Sequence, residues 1–131
     1  MHTSERPADG LIAPILPVPD PMRTMDTYVR VFGFRRLRYF DGNDEYIVLD
    51  REGAQVHLMK GPRATPHHRH GTHVADLFIW MNRLEDVVEA AREAGLAITR
   101  GPESYATWPV ATTEVVIEDH DGYWLCFATA H

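Results

Sequence analysis

Near its end the chain reads EDHDGYWLCF, residues 118–127, and Cys126 within it is the single cysteine of 131 residues. As a thiolate, such a side chain could act as a nucleophile or ligate a soft metal ion. Eight histidines are present, and His67, His68, His70 and His73 crowd into PHHRHGTH. Histidine-rich tracts can bind metal, but an ordered site needs outer partners that orient each ring. An irregular connector supplies none, so a solvated linker that takes up nickel adventitiously is expected there. A third stretch, GPESYATWPVATT at 101–113, carries Tyr105 and Trp108. Aromatic side chains on exposed loops often serve binding. The segment reads as a pocket rim, or as a lid anchored on its own domain or on a second subunit.

The elements that must position these groups follow from pattern. Asp121-Gly122 has turn chemistry, and Tyr123–Thr129 after it is rich in strand-forming residues. Far upstream, Leu11–Val18 is apolar and strand-like, though Pro14 and Pro17 suit an edge or irregular strand. Asp20-Pro21 gives a helix cap followed by proline at the first helical position. Met22, Met25, Val29 and Phe32 are the expected buried stripe, and Gly33 closes the helix. Strands are expected at 34–40, Tyr46–Asp50 and Ala54–Lys60, joined by the turns DGND and DREG.

The second half repeats this order. A strand at 73–81 leads to Asn82, a cap with Glu85 three residues on in a capping-box-like pairing. Leu84, Val87, Val88 and Ala91 form the next buried stripe, Gly95 ends the helix, and strands follow at Leu96–Arg100, Thr112–Glu118 and Tyr123–Thr129. Each half is therefore β-α-β-β-β, a repeat of pattern rather than of residue identity.

Composition bounds the function. The length suits one domain, with residues 1–10 as a flexible tail, half one at 11–60, a linker at 61–72 and half two at 73–129. A net charge of −6 argues against nucleic acid as a partner, since phosphate binding needs a basic stripe. No apolar run approaches the ~20 residues of a membrane span, and no leader resembles a signal peptide. A lone cysteine forms no internal disulfide, so a cytoplasmic location is expected.

The segment PILPVPDPMRTMDTYVRVFGF, a strand, then Asp, then a helix ending in Tyr-x-x-x-hydrophobic-Gly-Phe, resembles the vicinal oxygen chelate superfamily. So does EDHDGYWLCF, which is similar to that family's Asp-Pro-Asp-Gly turn before its last strand. The superfamily comprises glyoxalase I, extradiol dioxygenases, and fosfomycin and bleomycin resistance proteins; the bleomycin-resistance branch looks nearest. The resemblance covers about Leu11 to Thr129. It implies an α+β fold in which the two repeats curl into a barrel-like cup. It also implies four metal-ligand positions, one on the first and one on the last strand of each half, which fall here on Ala13, His57, Asp76 and Cys126. Alanine ligates nothing, and the carboxylate usual at the last position is missing. A zinc site of His57, Asp76 and Cys126 is possible in principle, but the reading adopted is a dismantled metal site: no catalytic residue, metal or cofactor is assigned, and Cys126 is expected to be a small wall residue.

Alternation along strands then places residues of the same parity on the cavity side. These are Ala13, Ile15 and Pro17; Gln55, His57 and Met59; Asp76, Phe78 and Trp80; and Trp124, Cys126 and Ala128. The opposite parity, with Leu16, Val18, Val56, Leu58, Leu77, Ile79, Met81, Leu125 and Phe127, is uniformly apolar and reads as core. A mixture of aromatic and polar groups suits a small-molecule pocket, although Trp80 and Trp124 could equally fill a collapsed barrel centre. His57 and Asp76 are expected either to meet as an orienting pair for a ligand or to form a structural hydrogen bond. The expected binding residues are thus Ile15, His57, Met59, Asp76, Phe78, Trp80, Tyr105, Trp108, Trp124 and Cys126. The resemblance implies a non-catalytic protein that sequesters an aromatic natural product, as in bleomycin-type resistance, working as a homodimer whose first strand is exchanged in some relatives. The alternative is an enzyme of the superfamily, metal-dependent or using His57 and Asp76 as acid and base.

Overall fold

The first helix begins where its capping chemistry is. In the computed structural model, which describes residues 7–39, 42–62, 75–106 and 111–131, α1 spans Pro21–Arg30, and the Asp20 carboxylate accepts a hydrogen bond from the Arg23 N–H at 3.2 Å. Around it stand β1 (Ile15–Val18), β2 (Arg35–Arg36), β3 (Tyr46–Arg51) and β4 (Ala54–Lys60). They form a sheet in the order β1-β4-β3-β2, with β1 parallel to β4 and the other pairs antiparallel. The second set is β5 (Leu77–Trp80), α2 (Leu84–Glu93), β6 (Ile98–Tyr105), β7 (Thr112–Glu118) and β8 (Trp124–Ala130). Its sheet runs β5-β8-β7-β6, again with one parallel pair, β5 with β8. The chain thus divides into two compact units, residues 1–64 and 65–131, each β-α-β-β-β. The α+β class and the repeat are as the sequence pattern indicated.

In each unit the helix covers one sheet face. Leu16, Val18, Ile47, Leu49, Val56 and Leu58 are buried on the first sheet, and α1 packs on β3, β4 and β2. Leu77, Ile79, Val115, Ile117, Leu125 and Phe127 do the same in the second, under α2. Alternation holds as expected for Leu16, Val18, Val56, Leu58, Leu77, Ile79, Leu125 and Phe127, while Met81, just beyond β5, is only half-buried.

Two expectations about the helices are corrected. The buried stripe of α1 is Pro21, Thr24, Thr27 and Tyr28, continued by Phe32, while Met22 and Val29 are each 39% exposed. Tyr28 stacks edge-on against Phe32 at 5.1 Å and lies 5.7 Å from Phe34. Burying this three-ring cluster removes more apolar surface from water than burying two methionines would, and it sets the helix rotation. In α2 the stripe Leu84, Val87, Val88 and Ala91 is as expected, but the cap is not. Arg83 occupies the cap position and makes no side-chain capping bond. Its guanidinium instead approaches Glu85 at 3.5 Å and Asp86 at 3.4 Å, so the Asn82–Glu85 box does not form.

Strand limits differ as well. β1 and β5 are shorter than their apolar runs, and β2 has only two residues. In the opposite sense, Gly101–Tyr105, read as loop, belongs to β6. Glycine and proline there mark a break in register within an edge strand. Gly101 has φ of 80°, and a Cβ on it would overlap the Glu114 carbonyl oxygen, so only glycine lets the two backbones approach.

Candidate ligand-binding site

Two turns set which side chains face away from the helices. Between β3 and β4, Glu52 and Gly53 both take positive φ, 49° and 93°, the geometry of a two-residue hairpin that pairs Arg51 with Ala54. That register puts Tyr46 opposite Met59, Val48 opposite His57 and Asp50 opposite Gln55. The parallel pairing of β1 sets Ile15 beside His57. Before β8, the buried Asp119 carboxylate accepts the N–H groups of Asp121 and Tyr123, both at 2.9 Å, and so fixes where the strand starts.

The first unit holds a cavity of about 530 Å³ on its helix-free face. Its apolar wall comes from Pro7, Leu11, Ala13 and Ile15; its polar wall is Tyr39, Tyr46, Gln55 and His57. The polar wall is one continuous hydrogen-bonded ribbon. Gln55 Nε2 donates to the Tyr39 hydroxyl at 2.8 Å, leaving Gln55 Oε1 to face His57 Nε2 at 3.3 Å. His57 Nε2 therefore carries the proton, and Nδ1 accepts from the Tyr46 hydroxyl at 2.7 Å. The Tyr46 ring stands edge-on to the imidazole, 5.5 Å between centroids. Burial holds the His57 pKa below its usual 6.5 and raises that of Tyr46, so both are neutral near pH 7. Met59 lies on the same face, 39% exposed, but not in the cavity lining.

In the second unit, Asp76 is bound to the start of β8. Its Oδ2 accepts the Trp124 N–H at 2.8 Å, and its own N–H donates to the Trp124 carbonyl at 2.8 Å. Trp124 Nε1 donates to Glu118 at 3.0 Å. Phe78 and Trp80, 52% and 56% exposed, pack edge-on at 5.2 Å. Cys126 is buried, and its Sγ donates to Glu114 Oε1 at 3.6 Å. Glu114 also accepts from Thr112 at 3.1 Å and pairs with Arg100 at 3.7 Å. Burial first, and then the adjacent Glu114 charge, push the Cys126 thiol up to about 12. Tyr105 donates to Glu103 at 2.6 Å, and that bond raises the pKa of its phenol. Trp108 and His67, His68, His70 and His73 lie outside the described residues.

These donors do not fit the four-ligand metal centre that the resemblance implies. Ala13 offers no donor, and both ring nitrogens of His57 face hydrogen-bond partners. Among the described residues, no three His, Cys, Asp or Glu side chains are grouped to hold a metal ion.

Of the residues that strand parity, counted from the ligand positions the resemblance implies, placed on the cavity side, Ala13, Ile15, Gln55 and His57 line the first unit's cavity. Parity missed Tyr46, although the hairpin turn in the sequence implies its register against Met59. It also missed Glu114 and Glu118, which share the parity of Val116 on β7. Nothing local marked Tyr39, Pro7 or Leu11.

The model of the Glyoxalase/Bleomycin resistance protein/Dioxygenase superfamily matches residues 10–127. No curated protein sequence matches the chain. Among solved structures, an integron cassette protein from the mobile metagenome of V. cholerae is 22% identical, with a TM-score of 0.66 over 95% of this chain and 98% of that one. TioX from Micromonospora sp. ML1 is 24% identical, with a TM-score of 0.66 over 92% and 95%. A glyoxalase/bleomycin resistance protein/dioxygenase from Alicyclobacillus acidocaldarius is 15% identical, with a TM-score of 0.70 over 93% and 92%. At these identities the structures speak to fold alone, and it is the same fold. With the family model spanning nearly the whole chain, this protein belongs to the glyoxalase/bleomycin resistance protein/dioxygenase superfamily.

Proposed function

We propose that this protein binds an aromatic natural product stoichiometrically and releases it unchanged, as proteins of the bleomycin-resistance type do. The observation that carries the reading is the first unit's cavity, large enough for a small ligand, apolar on one side and lined on the other by a neutral hydrogen-bonded ribbon. Phe78 and Trp80 add an aromatic surface in the second unit, where a flat molecule can stack. Ile15, His57, Met59, Asp76, Tyr105, Trp108, Trp124 and Cys126 complete the binding set in this reading. A homodimer goes with it, since superfamily members commonly bind small ligands and form dimers. β1, held to its sheet by a single four-residue pairing with β4, is the element suited to exchange.

Calorimetric and tryptophan-fluorescence titrations of metal-stripped protein against planar aromatic antibiotics test this. Saturable binding at one equivalent per subunit, with the ligand recovered unchanged by mass spectrometry, is expected. Product formation would overturn it. The second reading, catalysis, is favoured by one contact: the 2.7 Å bond between Tyr46 and His57 is short enough to pass a proton. Turnover abolished by His57→Ala with binding retained would establish it.

A further inference from the structure

Gln55 stands where the first unit's cavity meets an adjoining hollow of about 300 Å³, and it lines both. Its amide is held at both ends. Nε2 donates to the Tyr39 hydroxyl at 2.8 Å, and Oε1 faces the His57 Nε2–H at 3.3 Å. Among the described residues no buried side-chain nitrogen or oxygen lacks a partner. Partners per atom and partners per hydrogen are different counts, however. A primary amide nitrogen carries two hydrogens, and the contact to Tyr39 is the nitrogen's one hydrogen bond among the described residues. Gln55 is only 8% exposed, so one N–H of a nine-tenths-buried side chain is left for whatever enters the hollow.

That donor is fixed before any ligand arrives. Turning the amide to follow a badly placed acceptor would break its contacts with Tyr39 and His57, so the N–H has one direction and little freedom left to lose. The other wall of the cavity is apolar, with Pro7, Leu11, Ala13 and Ile15. In such surroundings a donor covered without an acceptor is costly, and a ligand that supplies one gains what an apolar molecule of the same shape does not. An uncharged acceptor suits the site best. A carboxylate would lose its hydration for a single neutral donor, since the ionised side chains nearby, Arg35 and Asp50, line the smaller hollow and pair with each other at 4.0 Å.

We infer that the first unit's cavity takes an aryl carbonyl compound, with the ring against the Tyr46–His57 wall and the carbonyl oxygen accepting from Gln55 Nε2. This rests on the reading that the first unit binds aromatic molecules, and it names the class. The test uses three probes substituted at the same ring position: acetylnaphthalene, isopropenylnaphthalene, in which a methylene group replaces the oxygen, and naphthoate. Each is titrated calorimetrically into the full chain at neutral pH. The ketone should bind about tenfold more tightly than the alkene, and the acid should be weakest. Gln55→Met, which keeps the side chain's length and removes its donor, should erase the ketone's preference. An infrared measurement needs no variant: the carbonyl stretch of ketone bound to the unsubstituted chain should lie where the ketone absorbs in alcohol, below its position in hexane. Equal binding of ketone and alkene, a preference that survives Gln55→Met, or a carbonyl band at the hexane position would overturn the inference while leaving aromatic binding intact. Tightest binding of the acid would overturn it in favour of Arg35. Binding of none of the three would remove aromatic capture by this cavity, and the carbonyl assignment with it.

Discussion

Replacing Glu114 by glutamine probes the buried sulfur of the second unit and whether Cys126 can serve as a thiolate. The Cys126 pKa rises from 9.0 to about 12 through burial first and the Glu114 carboxylate second. At pH 8 its thiolate population is then about a thousandfold below that of an ordinary thiol. Alkylation proceeds through the thiolate. Iodoacetamide labelling of the folded chain, followed by intact-mass spectrometry, should therefore run at least about a thousandfold slower than in a guanidinium-unfolded control. The pH profile separates charge from simple occlusion. The logarithm of the rate should climb about one decade per pH unit with no plateau up to pH 10, whereas an ordinary thiol levels off near 9. Glu114→Gln removes the anion 3.6 Å from the sulfur and leaves Arg100 without its carboxylate, both of which favour the thiolate. The rate should rise about tenfold and stay well below the unfolded control, because burial persists. A plateau near pH 9, or a rate indifferent to Glu114→Gln, would refute the reasoning.

Three further outcomes follow from the geometry. The His57 pKa is lowered on folding, so as pH falls below 6.5 the unfolded chain takes up a proton first. The stability this contributes is full above pH 6.5 and lost as pH falls through the folded-state value; urea unfolding at pH 7.5 and 5.5 should show a loss that His57→Gln reduces, and equal losses in both proteins would contradict it. Gly101→Ala forces a side chain onto a positive φ and into the Glu114 carbonyl, and thermal or urea unfolding should register a cost of at least about 2 kcal/mol. Asp20→Ala should cost about 1 kcal/mol for the lost cap, while Asn82→Ala stays within about 0.5 kcal/mol; equal costs would mean that the two helix starts are capped alike.

How much was legible shows best in the helices and strands. Val56 and Leu58 toward the helix, with Gln55 and His57 on the opposite face of the sheet, follow from the two-residue period of β4, which no tertiary contact has to supply. The stripe of α2 is equally local, because Leu84, Val87, Val88 and Ala91 share one face at helical spacing. The stripe of α1 is not, because Met22, Met25 and Val29 compete with Tyr28. The winner depends on Phe32 and Phe34 being near enough to stack, a fact of folded space. Gly101 and Pro102 carried the signature of a loop, and only the partner strand makes them a strand irregularity.

The candidate site divides the same way. Residue order alone settles the doubled β-α-β-β-β plan, the face on which His57 lies and the absence of a donor at Ala13, since periodicity and side-chain identity are properties of the chain. The Tyr39–Gln55–His57–Tyr46 ribbon and the Glu114 carboxylate against Cys126 were decided by tertiary structure alone. Hydrogen bonding, burial and shifted pKa values arise between strands brought together by register, and a one-residue slip would have dealt every one of these side chains a different neighbour.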